Sequence, residues 1–366
     1  MRIGINAIFL APGKGGGMER YLSNMVRAMA EQVPRGSLVA FGSREGLPCL
    51  EGIAPVVASP VPASQRWARI LWEQVVFPKV AREWKCDVMI SFGNVCPVRL
   101  PCPSLVVMHD LIPYTPAHGF SPLEKMTAKF LFRMTALAAD GVVTVSGFSK
   151  GQIVQILEIP GNKVSVIPGA CDPVFFQQRQ KKENGKPIIL AGASALPHKN
   201  LEGLLRAYQI FANHERKNTP LVITHTHGTD KEIMDRAHQM GLGGRVTTTG
   251  RISDQELAFL YQRAAVFVCP SVYEGFGLPV LEAMASGAPV ISSQAASLPE
   301  VAGGSALLVD PRNPAQIAGA MGLVLEDQDL RRKLSAMGTE RAKEFSWEKS
   351  AAALLALARK TAGDDQ

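Results

Sequence analysis

The sequence predicts an α/β protein built from two doubly wound domains with parallel sheets. Short apolar runs rich in β-branched residues alternate with amphipathic stretches in two successive series. A polar, charged segment from Gly169 to Gly185 separates the two series and is typical of a domain boundary. The 366 residues are enough for two domains of ordinary size. We therefore expect the first domain to begin at residue 1 and end near residue 169.

The first series begins with an apolar strand, Arg2–Leu10, which leads through a glycine run into a helix, Met18–Gln32. That helix is predicted because its apolar residues recur at helical spacing. Strands are then predicted near Ser37–Ser43, Val56–Ser59, Asp87–Phe92, Ser104–Met108, Gly141–Val145 and Lys163–Ile167. Helices are predicted from about Gln65 to Trp84 with an interruption at Pro78, over Pro122–Ala139, and after Ser146.

The second series repeats the alternation and ends in a helical tail. Its predicted strands are Pro187–Ala191, Leu221–Thr226, Val246–Thr249 and Ala264–Pro270, and its predicted helices are Asn200–Asn213, Lys231–Met240 and Asp254–Arg263. The tail from Pro314 to Lys360 is predicted to be helical, and its last helix is rich in Ala and Leu.

Composition and charge exclude some classes of protein. Hydrophobic residues make up 46% of the chain, which excludes a largely disordered protein. The net charge is +7, and residues 1–170 carry 17 Lys and Arg against 11 Asp and Glu, a balance of +6. This basic half suits an anionic partner such as a membrane surface. Nucleic acid is not expected, because neither a recognition helix nor a zinc-ligand spacing accompanies the charge.

Cysteine use and hydropathy indicate the compartment. The six cysteines show no spacing typical of metal ligands and are interpreted as reduced thiols. No apolar run approaches the ~20 residues that are needed to span a bilayer. We therefore expect a cytoplasmic protein, either soluble or peripheral on the inner face of the membrane.

The segment from Gln65 to Trp84 holds three of the four tryptophans, interleaved with basic residues. Two interpretations are open. A core-facing helix is favoured because apolar stripes usually face a core. The alternative is a surface that meets a membrane or an acceptor, because helices combining aromatic and basic residues suit interfaces. A later helix carries Lys125, Lys129 and Arg133 on one face, which is interpreted as solvated but would also suit acidic lipid headgroups.

The most informative stretch runs from Glu274 to Gly287 and reads E-G-F-G-L-P-V-L-E-A-M-A-S-G. It follows a buried strand, forms a glycine turn, and starts a helix. Free amides near Gly277 and Leu278 are suited to phosphate, because the helix dipole favours negative charge at that end. Glu274 in the turn and Glu282 in the first helical turn flank this anion site. Phosphate on amides and hydroxyls on carboxylates together indicate a nucleotide-sugar ligand.

This pattern closely resembles the retaining glycosyltransferases of the GT-B fold, in particular the fourth glycosyltransferase sequence family. The resemblance implies two Rossmann-like domains facing a central cleft, with a C-terminal helix crossing back to the first domain. The first domain would then comprise residues 1–169 and about 346–366, and the second residues 170–345. By the same resemblance Glu282 binds the ribose hydroxyls and Glu274 the transferred sugar, while amides at Gly277 and Leu278 hold the diphosphate. Gly275 and Phe276 would also belong to the donor site.

Further site residues follow from the resemblance. His109, at the end of a predicted strand, would contact the donor sugar, and Lys199 would be the cation that holds the diphosphate. The family commonly has an arginine directly after Gly192, where this sequence has Ala193. His198 or Arg251 would compensate, or the charge would be held mainly by amides. The loop Gly15, Gly16 and Gly17 matches the place where the family meets donor phosphate and acceptor.

Metal chemistry is not expected. Asp327-Gln328-Asp329 lies far from every phosphate loop and is interpreted as acidic residues at a helix start. His225 and His227 alternate onto one face of a predicted strand without a third ligand and are interpreted as structural. No cofactor and no metal requirement are therefore predicted.

The functional prediction is a retaining, metal-independent hexosyltransferase. The resemblance implies transfer of a hexose from a nucleotide sugar, GDP-mannose first and UDP-glucose second, to a hydroxyl of a glycan or polyprenyl-linked oligosaccharide. The role would lie in cell-surface polysaccharide synthesis, such as lipopolysaccharide O-antigen. The alternative is a non-catalytic GT-B subunit that binds a nucleotide sugar or acts as a scaffold, favoured slightly by Ala193. A dehydrogenase is a distant third, because the dinucleotide fingerprint is missing.

Overall fold

The structure is a computed structural model that describes residues 1–11, 16–46, 50–115, 121–177, 187–214, 218–224 and 230–364. Its contacts divide the chain into two compact units. The first contains Met1–Tyr114, Phe120–Gly169 and Ser346–Gln366, and the second contains Thr115–Gly119 and Ala170–Phe345.

The first unit is built on a seven-stranded parallel sheet. Its strands are β1 Ile3–Ala7, β2 Leu38–Ser43, β3 Val56–Ser59, β4 Val88–Ser91, β5 Ser104–Val107, β6 Gly141–Thr144 and β7 Val164–Val166. The strand order is β3-β2-β1-β4-β5-β6-β7, so the direction of winding reverses between β1 and β4. Helices cover both faces of such a sheet, which is why most of these strands are apolar throughout and do not alternate.

Before Gly169, the described residues form the helices α1 Gly16–Ala30, α2 Arg66–Val75, α3 Phe77–Glu83, α4 Pro122–Ala138 and α5 Gly147–Leu157. The break between α2 and α3 confirms the predicted interruption, because Pro78 occupies the first turn of α3, where its missing N–H has no effect. Ser121 and Glu124 form a capping box that starts α4.

The second unit is built on a six-stranded parallel sheet. Its strands are β8 Ile188–Gly192, β9 Leu221–Thr224, β10 Val246–Thr248, β11 Ala264–Cys269, β12 Val290–Ser293 and β13 Leu307–Val309. The order β10-β9-β8-β11-β12-β13 reverses direction between β8 and β11. The helices are α6 Leu201–His214, α7 Asp230–Gln239, α8 Asp254–Arg263, α9 Leu278–Ala285, α10 Leu298–Ala302, α11 Pro314–Glu326 and α12 Gln328–Ala342.

The last helix, α13 Trp347–Ala362, belongs to the first unit although it follows the second in sequence. Its Trp347 ring packs edge-on against Tyr21 of α1 with 5.5 Å between ring centroids. Ser350 donates a hydrogen bond of 2.8 Å to the carbonyl of Pro168. These contacts confirm the predicted return of the C-terminal helix to the first domain, and the two sheets confirm the predicted fold class.

Several local predictions need correction. Gly16 and Gly17 are the first residues of α1 and do not belong to a separate loop, whereas Gly15 lies outside the described residues. The first strand is shorter than predicted: β1 covers Ile3–Ala7. Glu282 is the fifth residue of α9 and therefore lies beyond its first turn.

The core interpretation of the tryptophan-rich segment is wrong for α2. Trp67, Leu71 and Val75 repeat every four residues and are 57%, 66% and 57% exposed. The buried residue of α2 is the acidic Glu73. The core interpretation holds for α3, where Phe77 and Ala81 are buried. An apolar stripe predicts one-sided exposure, but only the packing of the helix decides which face is covered.

Candidate active site

The candidate site in the second unit lies at the carboxyl ends of β8 and β11, where the strand order reverses. Open α/β sheets bind ligands at this kind of position, because the two loops diverge there and leave a crevice. The loop after β8 carries Lys199, and the loop after β11 carries Glu274. The sheet topology therefore brings together two residues that are 75 positions apart in the sequence.

The loop after β8 is held against the end of β11 by Asn200. This residue has a left-handed backbone with φ 56° and follows the short 3-10 turn Pro197–Lys199. Its side-chain amide donates to the carbonyls of Pro270, at 3.0 Å, and Pro311, at 2.7 Å. The main chain adds a further link, since Val272 N–H donates to the carbonyl of His198 at 2.8 Å. These bonds fix the position of Lys199.

Lys199 and Glu274 form an ion pair in which Nζ lies 2.7 Å from Oε1. The two side chains are only 22% and 13% exposed, so water screens the pair weakly. Burial by itself raises the pKa of Glu274, but the charge and hydrogen bond of Lys199, a hydrogen bond from Ser271 and the charge of His198 together hold that pKa below its usual range. Glu274 is therefore ionised at neutral pH.

Ser297 holds the glycine turn between β11 and α9 through its side chain. Its hydroxyl lies 2.8 Å from the carbonyl oxygens of both Glu274 and Phe276, which share its single donor proton. Gly277, the residue before α9, has φ 112°, and a Cβ there would lie 2.6 Å from the side chain of Leu298. Only glycine fits such a position. The turn is thus locked in the form that starts α9.

The start of α9 can receive an anion. Leu278 is the first helical residue, and its N–H has no partner within the helix. The helix dipole also favours negative charge at this end. Glu282, further along α9, is 4% exposed, and the hydroxyl of Tyr261 lies 3.5 Å from its Oε2.

The two residues considered as replacements for the missing arginine lie in different places. Ala193 itself is buried and follows Gly192 at the end of β8. His198 is buried in the same loop as Lys199, and its charge contributes to lowering the pKa of Glu274. Arg251 is exposed and follows β10, an edge strand that β9 separates from β8.

The first unit contains the other predicted catalytic residue, His109, directly beyond the end of β5. Its main-chain N–H donates to Asn94 Oδ1 at 2.8 Å, and its ring packs edge-on against Tyr21 with 5.0 Å between centroids. Burial lowers the pKa of His109 to about 4, partly offset by a hydrogen bond to the backbone of Phe92. The imidazole is therefore neutral at physiological pH.

The two ring nitrogens of His109 differ in their hydrogen bonding. Its Nε2 is buried, and in the described part of the chain it has no hydrogen-bond partner. Because the other nitrogen donates to the Phe92 carbonyl, Nε2 of the neutral ring is an acceptor. A ligand hydroxyl is the kind of group that would satisfy it.

Sequence reasoning missed several residues that shape these sites. Asn94 has a left-handed backbone with φ 62°, and the dipeptide Gly93-Asn94 was a turn signal that could have drawn attention to it. Asn200 adjoins Lys199 and could have been noted as a residue tolerant of that conformation. Ser271 and Ser297 carry no such signal, because a serine near a strand or helix end is common.

Two predictions concern groups outside these sites. Asp327 caps α12, and its side chain accepts hydrogen bonds from Asp329 N–H and Leu330 N–H at 2.9 Å each, which confirms the predicted role at a helix start. His225 and His227 lie outside the described residues. Over the described ranges, no cluster of three or more His, Cys, Asp or Glu side chains is arranged to hold a metal ion.

The described cysteines are free thiols, and Cys86, Cys96, Cys171 and Cys269 are buried. Among the helices that the structure describes, none combines the length and apolarity required to cross a bilayer.

The two parallel-sheet units, one with a phosphate-suited turn flanked by two carboxylates, define an α/β protein of the GT-B class. Profiles of two families match the chain: "Glycosyltransferase Family 4" over residues 15–175 and "Glycosyl transferases group 1" over residues 174–341. One match covers most of the first unit and the other most of the second. Residues 15–341 are therefore accounted for by two glycosyltransferase domains in tandem.

Curated relatives and solved structures agree with this assignment. The O-antigen chain mannosyltransferase B of Escherichia coli is 34% identical over 224 residues, which are 58% of this chain and 58% of that protein. The O-antigen chain mannosyltransferase RfbU of Salmonella typhimurium is 32% identical over 231 residues, 61% of this chain and 63% of that protein. The chain thus spans less than two thirds of the length of either relative.

The structure of Anabaena HepE, determined in complex with UDP and glucose, superposes with a TM-score of 0.77 at 18% identity and covers 98% of this chain and 99% of that one. At this identity the likeness establishes the fold.

Proposed function

We propose that this protein is a retaining mannosyltransferase that needs no metal ion. It would transfer mannose from GDP-mannose to a hydroxyl of a glycan or polyprenyl-linked oligosaccharide during the synthesis of a cell-surface polysaccharide. The observation that carries the proposal is the buried Lys199–Glu274 pair beside the glycine turn that starts α9. It offers a cation, a carboxylate and a helix start within one site.

The diphosphate that leaves during transfer gains negative charge, which fixed donors must stabilise. Lys199 has three N–H donors, so its bond to Glu274 is compatible with a further bond to a phosphate oxygen. The N–H of Leu278 and the dipole of α9 act in the same direction. In the first unit, Gly16 and Gly17 begin the 15-residue helix α1 and offer amides of the same kind.

Two acceptors are suited to sugar hydroxyls. Glu274 is ionised, and the neutral His109 presents a buried Nε2 without a partner in the described part of the chain. His109 would therefore orient a sugar hydroxyl and would not serve as a base, because a pKa of about 4 leaves it a weak proton acceptor.

The pairing of Glu274 with Lys199 bears on how a retaining transfer would proceed. A carboxylate held by Lys199 at 2.7 Å is a weak nucleophile, because its charge is already stabilised. We infer that the acceptor hydroxyl attacks the anomeric carbon on the face from which the diphosphate departs. The C–O bond to the diphosphate breaks as the new C–O bond forms, and a diphosphate oxygen takes the proton of the acceptor hydroxyl.

The choice of donor rests on the relatives. Both O-antigen relatives are named as mannosyltransferases, which favours GDP-mannose. The complex of HepE with UDP and glucose supports UDP-glucose as the second choice. The non-catalytic alternative is not favoured, because Lys199, Glu274 and Glu282 are all present in the second unit and His109 is present in the first.

We further propose that the protein associates with an anionic membrane surface. The exposed stripe on α2 has a counterpart on α4, where Met126 and Phe130 are each 63% exposed. The two helices are linked by an ion pair of 3.7 Å between Arg66 and Glu124. Basic residues accompany both stripes: Arg66 on α2, and Lys125, Lys129 and Arg133 on α4. Apolar side chains with basic neighbours are suited to a membrane interface.

The proposed activity can be tested by incubating the protein with a panel of nucleotide sugars and a synthetic oligomannose acceptor, and by following products with mass spectrometry. We expect transfer from GDP-mannose and a higher Tm in its presence, since ~2.7 kcal/mol of stabilisation accompanies a ligand at 100 times its Kd. Glu274→Gln should abolish transfer. The matched control Glu202→Gln, in an exposed ion pair on α6, should leave it intact.

Absence of transfer from every nucleotide sugar in the panel, together with no change in Tm, would contradict the proposal.

A further inference from the structure

The glycine turn that starts α9 packs against a residue far away in the sequence, Phe345. The ring of Phe276, between the two glycines of the turn, is 9% exposed and meets the ring of Phe345 edge-on. The ring centroids lie 5.7 Å apart with an interplanar angle of 74°, a geometry at which aromatic pairs attract each other. Phe345 follows shortly after the end of α12 and is the last residue of the second unit. The segment after α12 therefore supports the turn.

Arg341, in the last turn of α12, holds the ring of Phe345. Its guanidinium lies over that ring, 4.9 Å from the centroid, so the two side chains form a cation–π contact. The guanidinium also forms an ion pair with Glu344. The side chain of Arg341 is only 22% exposed, so water screens these interactions less than it would at the surface.

The same guanidinium binds the carboxyl end of α10. Its Nε donates to the carbonyl of Val301 at 3.1 Å, and its Nη2 donates to the carbonyl of Glu300 at 2.7 Å. Gly303 follows α10 with a left-handed backbone, φ 55°, and a Cβ at this position would overlap the guanidinium of Arg341. Glycine is the residue that permits both this backbone and so close an approach. Arg341 is therefore fixed to α10.

The other end of α10 holds the glycine turn. Ser297 and Leu298, at the start of α10, contact the turn through the hydroxyl and the side chain described above. The contacts thus run from the turn through α10 and Arg341 to Phe345, and they return to the turn at Phe276. In such a closed set, each member limits the movement of the next.

The turn needs this support because its own backbone is permissive. Gly275 and Gly277 flank Phe276, and glycine has more conformational freedom than any other residue. The N–H of Leu278, proposed to bind the diphosphate, comes directly after them. A hydrogen bond weakens steeply when its angle departs from linearity. A small shift of the turn would therefore weaken the bond to a phosphate oxygen.

We propose that Phe345 and Arg341 are positioning residues that keep the N–H of Leu278 directed at the diphosphate by holding Phe276. The inference rests on the proposed function, because that function supplies the diphosphate. Both residues act through the turn. Their loss should therefore weaken binding of the phosphate groups and leave binding of the nucleoside, which Glu282 is proposed to contact, unchanged.

The first test compares Phe345→Ala with the matched control Phe259→Ala. Phe259 on α8 also lies beside an arginine, with the guanidinium of Arg263 5.5 Å from its ring centroid, but it is 38% exposed. Calorimetry should show that Phe345→Ala raises the Kd of GDP about tenfold, because a misdirected donor loses most of a charge-assisted hydrogen bond. The Kd of guanosine, measured by NMR titration, should stay unchanged. Phe259→Ala should bind both ligands as the wild type does.

Two further variants separate positioning from a general loss of stability. Phe345→Tyr keeps the ring and should bind GDP with nearly the wild-type Kd. Arg341→Lys keeps the charge but loses the planar guanidinium that holds α10 and the Phe345 ring together, so the Kd of GDP should rise. This variant also decides the matter if Phe345→Ala fails to fold.

The second test needs no ligand. In protein labelled with ¹⁵N-glycine, the NMR order parameter of the Gly277 amide should be about 0.85 in the wild type, typical of a rigid backbone, and should fall below about 0.6 in Phe345→Ala. Phe259→Ala should keep the wild-type value.

Three results would overturn this inference and leave the proposed function standing. They are a ratio of GDP to guanosine affinity that is unchanged in Phe345→Ala and Arg341→Lys, an equal loss of affinity for both ligands, and a Gly277 order parameter that is the same in wild type and Phe345→Ala. Failure of the wild type to bind any nucleotide or to transfer from any nucleotide sugar would instead contradict the proposed function. The order parameter would then still decide whether Phe345 holds the turn.

Discussion

Replacing Lys199 by methionine tests the central feature of the second unit, the ion pair with Glu274. The substitution keeps most of the side-chain volume and removes only the ammonium group. It leaves Glu274 with 13% side-chain exposure and without its cation, 2.7 Å away in the wild type. The matched control is Lys231→Met, because Lys231 forms a similar pair with Asp235 at 2.8 Å but is 84% exposed.

The size of the effect follows from burial. Removing one partner of a fully buried pair costs ~3–5 kcal/mol, and leaving a buried polar group unsatisfied costs ~1–3 kcal/mol. Glu274 keeps a hydrogen bond from Ser271 and some contact with solvent, so we expect a loss of about 2 kcal/mol. For a unit of this size that corresponds to a fall in Tm of ~4–8 °C. Lys231→Met should change Tm little, because exposed pairs contribute little to stability.

The pH dependence of the loss identifies its cause. In the wild type the pKa of Glu274 is lowered, so its stabilisation is present above the unfolded pKa and is lost as pH falls through the folded pKa. In the variant the charge and hydrogen bond of Lys199 are gone while burial remains, so the pKa of Glu274 in the folded state moves upward and the charged carboxylate is less well stabilised at pH 7. Lowering the pH then protonates Glu274 and removes this loss of stability.

The assay is thermal unfolding of wild type, Lys199→Met and Lys231→Met between pH 7.5 and pH 4.5. The difference in Tm between wild type and Lys199→Met should decrease steadily as the pH falls. A gap that is the same at every pH, or an equal loss in the Lys231→Met control, would refute the reasoning.

Three further predictions follow from the proposed function. Glu282→Ala should weaken binding of the donor and of free nucleoside diphosphate alike. Glu274→Ala should leave nucleotide binding unchanged and abolish transfer. Equal loss of nucleotide affinity in both variants, measured by calorimetry, would contradict this assignment. Transfer should survive EDTA, and NMR coupling constants should show that the product keeps the donor's anomeric configuration; an inverted product, or activity restored only by Mg²⁺ or Mn²⁺, would argue against the mechanism. Vesicles containing anionic lipid should sediment the protein at low salt and less at high salt. Replacing both Trp67 and Leu71 by serine should lower the membrane partition coefficient by about 100-fold or more, since each buried apolar side chain contributes ~1.5–3 kcal/mol; equal sedimentation of wild type and variant would exclude this surface.

The sequence alone determined the architecture and most of the second-unit site. Two series of apolar runs and amphipathic helices specify two parallel sheets, because strands buried on both faces are apolar throughout and are easily distinguished from surface helices. The stretch around Glu274 was recognisable because its information is local. A glycine turn, a proline at the helix start and two acidic residues lie within nine positions, so their spacing determines their geometry.

The tertiary structure decided what depends on residues far apart in the chain. The pairing of Lys199 with Glu274 follows from the adjacency of β8 and β11, which the strand order decides and no local pattern encodes.

The orientation of α2 was decided in the same way. The apolar residues of this segment predicted one buried face, and the core interpretation assigned burial to the apolar side. The structure buries Glu73 and exposes Trp67, because Asn6 at the end of β1 provides a partner for the carboxyl group beneath the helix. A sequence pattern shows that a helix has two different faces, but the direction in which each points is decided by what the neighbouring strands place beneath it.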